Sequence, residues 1–170
     1  MSNNLTSQEE HQLITLLSKL EPGILPLDVF HALARLIVTA TQLVVPFYEE
    51  NGTTYVVLAR RDADDTFWPN LLNVPGKIFL PSDADMQAAL DRLYASEMPG
   101  AQIQEGPYYA GHVFDSIARG KELSIINYVI LKEKPAFGES YVITDLPSDI
   151  MDTEVPRIHM AVQAYMRNQA

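Results

Sequence analysis

The chain has 170 residues, 47% of them hydrophobic and 20% charged, the scale of one globular domain with a sizeable core. Its formal net charge of −10 argues against a nucleic-acid polymer as partner, because affinity for a phosphate backbone comes largely from Lys and Arg that displace counterions. The absence of cysteine excludes disulfides, thiolate zinc sites and Cys nucleophiles, and agrees with a cytoplasmic location.

The first segment, "MSNNLTSQEEH", lacks the basic start and apolar core of a signal peptide. Ser7 and Glu10 have the spacing of a capping box, and Leu13, Ile14, Leu16, Leu17 and Leu20 supply one apolar helix face. "EPG" ends that helix, and a second, short one is expected from Asp28 as N-cap through "VFHALARLI". Residues 1–37 thus read as a helical arm, whose leucine stripe serves either packing on the main domain or pairing of two copies into a homodimer. The longest apolar stretch, "ALARLIVTATQLVVPF", is broken by Arg35, Thr39, Thr41 and Gln42, so no membrane partner or span is expected.

From Val38 the pattern turns to short β-rich runs. "TQLVVPFY" and "TYVVLAR" flank Asn51-Gly52, a hairpin signal. Further strands are expected near "LNVPGKIF", "YYAGHVF", "LSIINYVILKE" and "SYVIT", with one helix from about Asp85 to Glu97 and a last one from about Val155 to Arg167. Strands with a helix in the middle and another at the end predict an α+β domain over residues 38–170, a mixed sheet between helices rather than a doubly wound one.

The order of these parts resembles the Nudix family. In "VVLARRDADDTFWPNLLNVPGK" an apolar strand ends in two arginines, and Trp68, Pro69, Leu71, Pro75 and Gly76 fit the family's Trp-Pro and Pro-Gly landmarks. "VITDLPSDI" followed by "PRIHMAVQAY" is similar to its closing strand, Leu-Pro turn and final helix, so the resemblance spans roughly residues 38–168. It implies an α/β/α sandwich and the cleavage of nucleoside-diphosphate-linked substrates, with Mg (or Mn) bridging the diphosphate while water attacks phosphorus.

Three acids at the first, fourth and fifth places of a helical run share one face and can grip a divalent cation. If Arg92 matches the family's arginine, those places hold Leu93, Ser96 and Glu97, and no shift of register puts two carboxylates together. The family's second glycine is replaced by Lys77, and its loop acid by Ser82, with Asp83 and Asp85 nearby as substitutes. The resemblance therefore implies a degenerate box, with catalytic candidates Glu97 and Arg92 and metal candidates Glu97 and Glu139. Arg60, Arg61, Gly76 and Lys77 are the substrate-binding candidates, aimed at the phosphates of a nucleotide-like small molecule.

Each candidate has a plainer alternative. Glu97 also reads as an exposed acid near a helix end, Arg60 and Arg61 as a solvated strand end, Glu139 as a loop charge and Arg92 as a surface salt bridge to a nearby acid such as Asp85. Leu93 belongs to a core stripe with Met86, Ala89 and Leu90, and His112 reads as an interior histidine. Two function classes follow: a hydrolase with impaired or absent activity, or a non-catalytic module that binds a nucleotide-like ligand or a protein.

Overall fold

A computed structural model describes residues 4–169. The arm holds α1 (Ser7–Leu17) and α2 (Leu27–Ala34); the domain follows as β1 (Val38–Glu50), β2 (Thr53–Arg60), β3 (Leu72–Asn73), β4 (Gly76–Ile78), α3 (Met86–Glu97), β5 (Ile103–Ile117), β6 (Gly120–Leu131), β7 (Glu139–Val142) and α4 (Glu154–Gln169). The strands form a mixed sheet in the order β3-β2-β1-β6-β5, with β4 on β1 and β7 on β2. β1 and β6 run parallel at its centre, and the other named pairs are antiparallel.

β1 shows why this sheet needs a helix on each side. Leu43, Val45 and Phe47 point into one core with Ile158, Ala161 and Tyr165 of α4, while Val44 and Tyr48 point into another with Leu90 and Leu93 of α3. Successive side chains alternate between faces, so the run Leu43 to Tyr48, apolar at every position, must be covered twice. The result is the expected α/β/α sandwich. At the β1–β2 turn Asn51 and Gly52 both take positive φ, 53° and 76°, the backbone of the two-residue turn that matches strand twist.

Local details differ from the sequence reading. The cap of α1 sits one residue earlier: Thr6 and Glu9 form the reciprocal box. Asp28 lies in the first turn of α2, with Pro26 as N-cap. The leucine stripe of α1 is not packed on the domain: Leu13, Ile14, Leu16 and Leu17 are exposed and the helix buries no residue. α2 does dock, because Gly120 lets the β5–β6 turn approach it; a Cβ there would lie 2.3 Å from the Ala34 carbonyl oxygen. Met86 is exposed while Ala89, Leu90 and Leu93 are buried. His112 is exposed too, 2.6 Å from the Tyr109 hydroxyl, because it falls on the open face of the alternating edge strand.

Candidate functional site

One cavity of ≈ 470 Å³ gathers β1, β4, α3, the β5–β6 turn, the start of α4 and the arm, a size suited to a small organic ligand. Its mouth carries Lys77 of β4 and Glu97 and Arg92 of α3; Trp68 and Arg61 come from the loop after β2; Ile24 to Phe30 of the arm form one side. The inner end is made by Thr41, Arg119, Glu122, Thr153, Glu154 and Arg157.

At the mouth, Lys77 Nζ lies 2.5 Å from Glu97 Oε1. Arg92 donates to both carboxylate oxygens of Asp83, at 3.0 and 2.7 Å, and to the Ile78 carbonyl at 2.8 Å. This pairing, with the Leu80 amide as a second donor, holds the Asp83 carboxyl below its usual range. Asp85 instead accepts from the Ala88 amide as N-cap of α3. Arg92 is therefore paired with Asp83 and not Asp85: the N-cap role has already claimed Asp85. Arg61 pairs with Asp65, which also accepts from the Phe67 and Trp68 amides at 3.0 and 2.8 Å. Burial pushes the Asp65 carboxyl up, but Arg61 and the two amides outweigh it and leave it lowered. The loop bearing Trp68 is pinned by that one carboxylate.

The inner end is drier. Arg157 bonds Glu154 at 2.8 Å and Glu122 at 3.2 Å, Arg119 bonds Glu122 at 2.5 Å, and Ser124 donates to Glu122 at 2.9 Å. Glu122, Glu154 and Arg157 are each at most 3% exposed. Burial drives the Glu154 carboxyl up to about 7 against the pull of Arg157. For Glu122 burial acts the same way, but Arg119, Ser124 and Arg157 overcome it and its carboxyl stays lowered. Above this network the Arg119 guanidinium lies 5.8 Å from the Phe30 ring centre and 5.7 Å from Trp68, and Arg61 lies 5.5 Å from the same indole. Arg119 thus ties the arm to the interior.

The sequence candidates divide. Arg61, Gly76, Lys77, Arg92 and Glu97 are together in the cavity wall. Arg60 and Glu139 are not among its walls; they bind each other at 2.6 Å at the β2–β7 edge, with Asp149 and Tyr141 as further partners. A side chain added at Gly76 would meet Leu43 Cδ2 at 2.3 Å, so glycine permits the close β1–β4 contact there. Sequence reasoning missed Thr41, Arg119, Glu122, Thr153, Glu154 and Arg157. Their one signal was spacing: Arg119–Glu122 and Glu154–Arg157 are each three residues apart beside apolar runs.

The resemblance implies a divalent cation, and the side chains by themselves do not form a cluster that fits one. Among the described residues no three His, Cys, Asp or Glu side chains come close enough to hold a metal. Glu97 is engaged by Lys77 and Glu139 by Arg60, in separate places.

No protein-family profile matches the chain, and no curated protein matches it. Solved structures do. The Nudix domain of Shewanella oneidensis NrtR, complexed with ADP ribose, aligns at TM-score 0.58 and 15% identity over 83% of this chain and 99% of that one. A mutT/nudix family protein from Listeria innocua aligns at TM-score 0.60 and 16% identity, over 76% and 95%. S. oneidensis NrtR complexed with a 27mer DNA aligns at TM-score 0.59 and 16% identity, over 76% of this chain but 63% of that one. The architecture is the Nudix fold. Among the described residues no helix is long and apolar enough to cross a membrane.

Proposed function

We propose that the chain is a Nudix-type module that binds a nucleotide-like small molecule in the cytoplasm, with pyrophosphohydrolase activity impaired or absent. One observation carries this reading: Glu97, the lone acid among the three metal places of the α3 run, is neutralised by Lys77 at 2.5 Å. A cation arriving there competes with an ammonium and finds no second carboxylate on the same face of α3. The cavity volume and the ADP ribose held by a protein of the same fold support the ligand class.

A residual hydrolase is the second reading. Lys77 and Glu97 are 32% and 25% exposed, so their pair is breakable, and magnesium is often held by one or two carboxylates plus substrate phosphates. Lacking a general base, such an enzyme would run about a hundred to ten thousand times slower than an intact one.

Calorimetric titration with ADP-ribose in chelator, then in Mg²⁺ and Mn²⁺, with AMP release followed in parallel, separates the two. The expected result is binding without metal and little or no release. Metal-dependent release abolished by Glu97→Gln would overturn it.

A further inference from the structure

Native proteins leave few buried polar atoms without a hydrogen bond, and each one invites an explanation. Among the described residues eight buried side-chain polar atoms have no partner within the protein; five of them, Thr41 Oγ1, Arg119 Nε, Thr153 Oγ1, Glu154 Oε2 and Arg157 Nε, belong to residues that wall the same cavity. Thr41, Glu154 and Arg157 are more than nine-tenths buried. Chance would scatter such atoms through the core.

Their chemistry narrows what pairs with them. Every cation in the wall already faces a carboxylate: Arg61 has Asp65, Lys77 has Glu97, Arg92 has Asp83, Arg119 has Glu122 and Arg157 has Glu154. Above about pH 7, where Glu154 is ionised, phosphate therefore meets no surplus positive charge. The unused groups are mixed, because a guanidinium N–H only donates, an ionised carboxylate oxygen accepts and a threonine hydroxyl does both. An anion needs donors alone. A hydroxyl-bearing group, which gives and takes at each oxygen, uses the whole set.

We infer that the inner end of the cavity is a subsite for an uncharged, hydroxyl-bearing part of the ligand, a sugar ring, recognised by Thr41, Thr153, Glu154 and Arg157. This rests on the small-molecule reading above and makes the sugar, not the diphosphate, the selective element. The unpaired atoms are closed to water, so the sugar displaces the side chains covering them. Trp68, the chain's only tryptophan, lies against Arg119 in that wall and reports the movement by its fluorescence.

The test is metal-free calorimetry at about pH 8, above the raised Glu154 carboxyl, with ADP-ribose and with ADP, at low and high salt, on the wild-type chain and on Thr41→Val and Thr153→Val. ADP-ribose is expected to bind about tenfold or more tightly than ADP, the equivalent of two or so buried hydrogen bonds. The preference survives high salt, since contacts to an uncharged group are not screened. Each valine variant weakens ADP-ribose about three- to tenfold and leaves ADP unchanged. Thr41→Val melts no earlier than the wild type, because removing an unpaired buried hydroxyl also removes its desolvation cost. Loss of sugar affinity without loss of fold separates recognition from support. Equal affinity for ADP-ribose and ADP, or an undiminished preference in both variants, overturns the sugar subsite while the small-molecule reading stands. Binding of neither compound overturns both.

Discussion

At the mouth of the cavity Lys77 and Glu97 keep 32% and 25% of their side chains in water, whereas at the inner end Arg157 and Glu122 keep 2% each. The two clusters use the same residue types, yet water separates their consequences. A part-exposed pair is screened and contributes at most about 1 kcal/mol. A buried pair has lost its hydration, so removing one member strands the other in a poor solvent. The mouth is therefore replaceable by ligand, and the inner end is part of the fold as well as of the site.

Breaking the inner end is expected to have the largest effect. Glu122→Ala removes the shared acceptor of Arg119, Ser124 and Arg157 and should cost about 3–5 kcal/mol in denaturant unfolding, the range for stranding a buried charge. A milder cut uses pH. Glu154 is raised from 4.5 to about 7 by burial, so the folded chain binds its proton more tightly than the unfolded one. Its contribution to stability is complete below about pH 4.5 and is lost as pH rises through about 7. Wild-type stability should fall by a few kcal/mol between about pH 5 and pH 8, because a tenfold difference in proton affinity between the folded and unfolded chain is worth about 1.4 kcal/mol. Glu154→Gln should flatten that slope in melts across the same range.

Not all of this was hidden in the chain. The run of apolar residues in β1, the Asn51-Gly52 turn and the α3 stripe each announced local geometry, because burial on a strand or helix leaves a period in the sequence. The scarcity of acids on α3 was equally legible, since helical spacing fixes which residues share a face. The inner network was not. Arg119 and Glu122 sit on the β5–β6 hairpin and Glu154 and Arg157 on α4, and a charge among apolar neighbours looks the same whether it ends in water or beside a partner brought from 35 residues away. The leucine stripe of α1 left packing and pairing both open, and its exposure within this chain shows why: amphipathicity says that a face seeks cover, not that the same chain provides it.

Smaller changes sharpen the contrast between the ends. Gly120→Ala places a Cβ 2.3 Å from the Ala34 carbonyl and should cost about 1–3 kcal/mol, as overpacking generally does. It should also loosen α2 and with it Phe30, seen as altered Trp68 emission before unfolding. Lys77→Met at the mouth should shift stability by less than about 1 kcal/mol, and the difference from wild type should vanish at high salt. A larger loss there would mean that the mouth, too, is structural.

The parallel pairing of β1 with β6, Val38 opposite Lys121 through Phe47 opposite Ile130, has a consequence for biosynthesis. As the chain leaves the ribosome, the first hairpin appears with one long apolar edge bare, and its neighbour emerges only after α3 and β5 have been made. Such non-local closure is slow, and an uncovered edge of this kind is where nascent chains stick to one another. Yield of intact protein should therefore respond to translation speed and to chaperones more than to any change at the ligand cavity.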